Sequence, residues 1–175
     1  MKGLQTVLFP LLMILFAVIL RLLPHPANVA PIAAMALFGG VYLNKRYALI
    51  VPVIALFLSD IFFGFHTVMP YVYGSFILIG LIGLWLRKHK QVVPLIGATL
   101  ASSLLFFLIT NFGVWAEGMY ARDFSGLVQS YVMGLPFFRN TLLGNAFYVG
   151  VFFGSFELVK AVLDKNRFVA AQTKK

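Results

Sequence analysis

The chain consists of apolar runs close to the length that crosses a lipid bilayer, separated by charged or proline-rich stretches. A transmembrane helix needs about 20 consecutive apolar residues, because the hydrocarbon core is about 30 Å thick. The runs are at residues 4–22, 29–43, 47–63, 69–86, 92–112 and 138–158. This pattern predicts an all-α integral membrane bundle of about six transmembrane helices, in a single domain covering residues 1–175.

Composition supports a membrane protein. Hydrophobic residues make up 61% of the chain and charged residues 11%, whereas soluble domains average roughly half apolar and a quarter charged residues. The chain contains no cysteine, which excludes disulfides and thiolate metal sites. The first apolar run resembles a signal peptide but lacks a small-x-small cleavage site, so we expect a retained first helix.

The positive charge lies beside the apolar runs. It is found at Lys2, at residues 45–46, at residues 87–90 and in a basic tail, residues 160–175. If the spans alternate in direction, all of these groups fall on one side, which the positive-inside rule makes cytoplasmic. The net charge of +9 therefore predicts an N-in, C-in topology and contacts with lipid headgroups, and we expect no nucleic-acid partner.

Polar side chains gather at the opposite, outer ends of the predicted spans. An outward-facing pocket with aromatic walls and a few polar groups is what binding of a small, partly polar molecule requires. The alternative is that each asparagine only caps a helix or bonds across to another one. The candidate substrate-binding residues are His25, Asn28, Asp60, His66, Tyr71, Asn111, Trp115, Arg139, Asn140 and Asn145.

Asp60 is the most informative of these residues, since only five acidic residues occur in the chain and this one ends an apolar run. A carboxylate at such depth needs a partner or a ligand. We expect an ion pair with Arg139 or, failing that, with Arg21. The pair could be purely structural, or it could also orient a ligand.

Two segments depart from regular spans. Prolines 24, 26 and 31 come just before the short second run, which predicts a broken, re-entrant or ordered connection there. Residues 127–138 are interrupted by Gly134 and Pro136, and we expect a short helix at the outer interface. Small residues four apart allow close helix packing, and we expect at least two of the four such pairs to pack inside the bundle: Ala30 with Ala34, Ala36 with Gly40, Gly97 with Ala101, and Gly150 with Gly154.

Motifs for catalysis or a resident metal are missing from the sequence. There is no Walker A loop, His-Glu-x-x-His, Gly-x-Ser-x-Gly or His-x-His. We therefore predict no metal, no cofactor and no enzymatic activity. An unusual constellation of Asp60 with His66 or His25 leaves a lipid-modifying membrane enzyme as a less favoured alternative.

Four stretches resemble a family of small, uncharacterised bacterial integral membrane proteins. They are His-Pro-Ala-Asn at 25–28 with the apolar run to Gly40, Leu-Ser-Asp-Ile-Phe-Phe-Gly at 58–64, Thr-Asn-Phe-Gly-Val-Trp at 110–115, and Gly-Leu-Pro-Phe-Phe-Arg-Asn-Thr-Leu-Leu-Gly at 134–144. More distantly, the span layout is similar to the S components of energy-coupling-factor (ECF) vitamin transporters.

The resemblance to S components implies uptake of a vitamin-like molecule across the bacterial cytoplasmic membrane. It also implies a transmembrane coupling subunit with ATPases as a partner. S components carry an Ala-x-x-x-Ala patch on the first helix, whereas here Ala30 and Ala34 fall at the start of the second span. Two alternatives therefore remain. The protein could act without a coupling subunit, or it could be a structural assembly subunit similar to the rod-shape protein.

Overall fold

The computed structural model describes the backbone of residues 2–172 and the side chains of residues 11–162 and of Lys165. Within that part of the chain the fold is all-helical. The helices are α1 Lys2–Leu22, α2 Ile32–Tyr42, α3 Lys45–Phe63, α4 Met69–Leu86, α5 Val92–Ala116 and α6 Phe124–Gln172. Four of them, α3 to α6, are long and apolar enough to cross a membrane, which is consistent with a membrane protein.

The shortest helix, α2, forms the core of the bundle. It has 11 residues, a length of about 16 Å at 1.5 Å per residue, so it covers only half of a bilayer core. Every residue from Ile32 to Val41 is buried, because α2 packs against all five other helices. The predicted second span is thus a short interior helix. The upstream prolines explain its late start, since proline and the residue before it resist helical geometry.

A close crossing of α2 and α4 holds this core together. A Cβ on Gly40 would fall under 3.0 Å from the backbone of Gly83, and one on Gly83 would overlap the backbone at Ala36 and Leu37. The pair Ala36 and Gly40 therefore packs inside the bundle. Ala34 is also fully buried. Glycines 97, 150 and 154 lie on the outside, where an added Cβ would meet nothing within 4 Å.

The bundle has two chemically different ends. At the end that we call the basic end, Arg87 donates to the Gly40 carbonyl, the Lys90 amine lies over the Tyr42 ring, and Tyr42 donates to Glu157. These contacts place the basic turns at residues 45–46 and 87–90 at one end, as the charge pattern predicts. The membrane side that this end faces stays a prediction.

Helix α6 continues through residues 127–138, where the sequence suggested a separate interfacial helix, and on through the predicted basic tail to Gln172. Packing against α5 explains why Gly134 and Pro136 do not break it. Gly134 lies against the Asn111 side chain, which leaves no room for a Cβ. The Tyr131 hydroxyl donates to the Leu108 carbonyl at 3.0 Å. Such contacts offset the propensity penalties of glycine and proline.

Candidate functional site

A cavity of about 530 Å³ lies at the other end of the bundle, which we call the pocket end. Here the last turns of α1, α3 and α5 meet the first turns of α2 and α4 and residues 130–145 of α6. Each of the six helices contributes to the cavity wall, for example Arg21, Ile32, Leu56, Val72, Phe106 and Phe137 in chain order. The volume lies within the range of roughly 300–1,000 Å³ that is typical of small-molecule sites.

The wall combines apolar surfaces with a few polar side chains. Val72, Phe76, Phe106, Met133 and Phe137 are among the apolar residues that line it. The connections and outer turns add polar groups, from His25, Asn28, His66, Thr110 and Asn111. None of the lining residues is acidic.

Asp60 lies behind the cavity wall, with its side chain only 2% exposed. Its Oδ1 accepts a hydrogen bond from Arg21 Nη1 at 2.6 Å, and its Oδ2 accepts one from the Tyr73 hydroxyl at 2.8 Å. The same Arg21 nitrogen donates to the Ser59 hydroxyl oxygen and to the Leu56 carbonyl. These contacts tie the end of α1 to the last two turns of α3.

The ion-pair partner of Asp60 is therefore Arg21, and the first expectation, Arg139, is wrong. Arg139 is exposed and makes no ion pair within the described side chains. The packing of α1 along α3 explains the choice, because it brings the last turns of these two helices side by side. Sequence alone does not show which outer helix ends are neighbours.

Arg21 keeps donors for the cavity. Its Nη1 makes all of the hydrogen bonds given above, whereas Nε and Nη2 donate to nothing within the described residues. The side chain is 18% exposed and lines the cavity, and its guanidinium carbon lies 5.4 Å from the centre of the Phe63 ring. A guanidinium carries five N–H donors, so part of its hydrogen-bonding capacity is open to a ligand.

The N-terminus of α2 borders the same cavity. Ile32 and Ala33 line it, and Pro31, the residue that precedes the helix, provides no side-chain cap. The first amide with a helical acceptor is that of Met35, which donates to the Pro31 carbonyl at 2.8 Å. The amides of residues 32–34 donate to no acceptor in the described part of the chain.

Asn145, on α6, contributes a second polar group of the inner wall. Its side chain is 3% exposed and lines the cavity. Its Nδ2 donates to the Ser103 hydroxyl oxygen at 2.9 Å, and that hydroxyl donates in turn to the Thr99 carbonyl. With the Ser103 proton directed to Thr99, Ser103 accepts from the amide nitrogen. In this arrangement Asn145 Oδ1 has no donor among the described residues.

The structure brings half of the predicted site residues to the cavity and places the others elsewhere. His25, Asn28, His66, Asn111 and Asn145 line it. Asp60 does not line the cavity, and its link to the cavity is the ion pair with Arg21, which does. Asn140, like Asp60, is not among the residues that line the cavity.

The remaining predicted residues make local contacts outside the wall. Trp115 Nε1 donates to the Ala121 carbonyl at 3.0 Å, and Asn140 Nδ2 donates to the Ala27 carbonyl at 3.1 Å. The Tyr71 ring fills the space beside Gly113, where a Cβ would overlap it. These side chains stabilise the turns and crossings around the cavity.

The candidate list omitted Arg21, Thr110, Ser130 and Thr141, all of which line the cavity. Two signals in the sequence pointed to members of this set. Arg21 is a cation at a predicted outer end, where the charge rule expects none. Thr141 is spaced four residues before Asn145, which places both on one helix face.

A metal or Asp–His arrangement is not seen in the described part of the chain. No group of three or more His, Asp or Glu side chains there is placed to hold a metal ion. Asp60 makes its hydrogen bonds to Arg21 and Tyr73, not to a histidine. His25 contacts the carbonyls of Pro26 and Arg21.

A second hollow, of about 710 Å³, lies between α1 and α6. It is lined by apolar side chains such as Leu12, Phe16 and Phe152, and Ser155 is its one polar residue. It offers burial but almost nothing to fix the orientation of a polar molecule. We therefore take the cavity at the pocket end as the candidate site.

Comparison with known proteins supplies a family but no activity. Residues 2–168 match a family described as a family of unknown function, DUF6580. The chain belongs to this family. The match includes every residue that lines the cavity, so the candidate site lies within the part of the chain that the family model covers. No curated protein and no solved structure matches the chain.

Proposed function

We propose that this protein binds a small, partly polar, vitamin-like molecule in the cavity and takes part in its uptake across the bacterial cytoplasmic membrane. The cavity at the pocket end carries this proposal. Its volume suits a small molecule, its apolar walls provide burial, and its scarce polar groups fix an orientation.

The two ends of the bundle support a direction for uptake. The basic end is the cytoplasmic end by the positive-inside rule, which turns the mouth of the cavity outward. This layout is similar to that of ECF S components, for which a transmembrane coupling subunit with ATPases would be the partner. The protein itself is not an enzyme in this proposal.

The test is to purify the full-length protein from native membranes and identify bound small molecules by mass spectrometry. Thr110→Trp fills the cavity from its α5 wall, and it disrupts little else because the Thr110 hydroxyl bonds only to the Phe106 carbonyl of its own helix. Leu104→Trp is the matched control, since Leu104 lies on the same helix but is 47% exposed on the outer face.

We expect one or more small molecules to copurify with the wild-type protein and with Leu104→Trp, and to be lost from Thr110→Trp. Equal recovery from all three proteins would count against the cavity as the site. If no small molecule copurifies and a membrane protein does so with all three, an assembly role would replace the proposal.

Topology can be tested separately, because the chain has no native cysteine. A single cysteine at position 89 belongs to the basic end and should react with an impermeant reagent only after the cells are opened. Labelling of intact cells would reverse the direction of uptake.

A further inference from the structure

The two ends of α2 differ in their hydrogen-bond partners. At the C-terminal end, Arg87 donates from Nε and Nη2 to the Gly40 carbonyl, at 2.9 and 2.7 Å, and from Nη2 to the Leu43 carbonyl as well. A cation is the favourable partner for that end of a helix, where the helix dipole is negative. The N-terminal end, where an anion is favourable, has no such partner among the residues that the structure describes.

The amides at that N-terminal end are buried as well as unpaired. Ile32 is 1% exposed, Ala33 is 5% exposed and Ala34 is fully buried. Bulk water therefore does not surround their N–H groups, and a buried helix end without partners is rare because unpaired donors are costly. The space that these residues border is the cavity.

Arg21 adds a cation to this region. One nitrogen of its guanidinium pairs with Asp60, and the two other nitrogens have no acceptor among the described residues of a side chain that lines the cavity. Since no acidic side chain among the described residues lines the cavity, Arg21 and the unpaired amides make its electrostatics favourable for a negative ligand. Guanidinium groups and helix N-termini are the donors that carboxylates and phosphates commonly use in proteins.

An independent observation comes from Asn145. This side chain is nine-tenths buried, lines the cavity, and leaves Oδ1 without a donor. It lies near the start of α2, because Gly144 packs against Val29, three residues before that helix. An unpaired acceptor here calls for a donor on the ligand, such as a hydroxyl or an amide N–H.

We infer that the cavity takes a small organic anion that also carries a hydrogen-bond donor. Its carboxylate or phosphate lies between the N-terminus of α2 and the Arg21 guanidinium, and its donor faces Asn145 Oδ1. Its apolar part contacts Phe106 and Phe137. This inference rests on the proposed function and gives the chemical class of the bound molecule.

The test compares three probes that share a hydroxyphenyl group and differ in charge: 4-hydroxyphenylacetate, its neutral amide, and the cation tyramine. Binding is measured by calorimetry with the full-length protein in phosphatidylcholine nanodiscs. We expect the acid to bind about tenfold more tightly than the amide, since a hydrogen bond to a charged group differs from a neutral one by about that factor. Tyramine should bind most weakly.

Two variants locate the anion. Arg21→Lys keeps the cation for Asp60 but has only the ammonium protons, which the existing acceptors use, so the preference for the acid over the amide should fall to the part that the N-terminus of α2 supplies. Thr110→Asp places a negative charge in the cavity and should weaken the acid selectively. Thr110→Asn has nearly the same shape, so the difference between these two variants isolates the effect of charge.

A lipid headgroup is another source of an anion, and nanodiscs that contain phosphatidylglycerol distinguish it from a free solute. If this lipid displaces the acid, the anion site is confirmed, and the proposed uptake of a soluble molecule is contradicted. If the amide or tyramine binds as tightly as the acid, the inference is overturned while the cavity remains a binding site. Failure of all three probes to bind also overturns the inference, and mass spectrometry of copurified molecules then decides the proposed function separately.

Discussion

Arg21 and Arg87 place the same chemical group at opposite ends of the bundle, and the protein uses them differently. Arg87 donates from two nitrogens to backbone carbonyls and so closes the C-terminal end of α2. Arg21 lines a cavity and uses one nitrogen for all of its described hydrogen bonds, so the two others have no acceptor among the described residues. Arg87 therefore uses two of its three guanidinium nitrogens and Arg21 only one, so Arg21 keeps more donors without an acceptor among the described residues, and it does so at a cavity wall.

The largest effect on stability is expected for Arg21→Met. This change leaves the Asp60 carboxylate buried with only the Tyr73 hydroxyl as a donor. Removing one partner of a buried ion pair typically costs about 3–5 kcal/mol. The free energy of unfolding in detergent, followed by circular dichroism, should fall by that amount.

The control is the double replacement of Arg21 by Met and Asp60 by Leu, which strands no charge and should recover most of the stability. A double variant as unstable as Arg21→Met would show that the ion pair is not the cause. Recovery of both stability and uptake would show that the pair is a structural tie, and the difference from Arg87 would then lose its functional meaning.

Asp60→Asn should keep the fold and weaken ligand binding if the pair orients the ligand.

A smaller loss is expected for Arg87→Met at the basic end. The carbonyls of Gly40 and Leu43 lose a charged donor, which costs about 1.5–3 kcal/mol for hydrogen bonds of this kind. No carboxylate is stranded, so the loss should be less than for Arg21→Met. Ligand binding by the variant should be unchanged when measured well below its unfolding temperature.

The neighbouring Lys88→Met is the matched control, because Lys88 is exposed and makes no side-chain hydrogen bond among the described residues. Its free energy of unfolding should stay within about 0.5 kcal/mol of the wild type. If Arg87→Met changed the free energy of unfolding as little as Lys88→Met, the contacts of Arg87 would not stabilise this end of α2. The contrast between the two ends of the helix would then be contradicted.

The crossing of α2 and α4 near the basic end should tolerate no added volume. Gly40→Ala pushes a methyl group into the Gly83 backbone, and overpacking of this kind costs about 1–3 kcal/mol. Gly97→Ala adds the same methyl group in open space on α5, and alanine there should stabilise the helix by about 0.5–1 kcal/mol. Urea or SDS unfolding of the two variants measures the difference, and a similar shift for both would contradict the close crossing.

The helices of the bundle could largely be predicted from the sequence. Apolar length and charge placement indicated most helix positions and the grouping of basic turns, because these signals are local. The burial of α2 was not visible in this way, since a short apolar helix looks alike whether it faces lipid or other helices. The continuity of α6 through Pro136 depends on contacts with α5, which are not local either.

The candidate site was predicted less well, for a related reason. Asn111 and Asn145 were proposed because polar side chains in apolar runs stand out, and Asn28 because it lies at the outer end of one. Arg139 was preferred over Arg21 as the partner of Asp60 although the sequence offered nothing to separate them. The unpaired amides at the start of α2 have no signature in side-chain identity at all, because they depend on where the helix begins and on what surrounds it.

The smallest expected effect is the difference in stability loss between two variants, each of which removes a tyrosine hydroxyl that donates to a carboxylate. Tyr73 donates to Asp60, which is 2% exposed, and Tyr42 donates at 2.9 Å to Glu157, which is 56% exposed. Tyr73→Phe leaves a buried carboxylate oxygen unpaired and should cost about 1–2 kcal/mol. Tyr42→Phe keeps the ring contacts with Phe38 and Phe156, and water replaces the lost hydroxyl, so its cost should stay below about 0.5 kcal/mol. Thermal unfolding of both variants in the same detergent measures the pair. Because the chemical change is identical, we expect a larger loss for Tyr73→Phe from the burial of Asp60, whereas equal losses would mean that the Asp60 site is as well solvated as the surface.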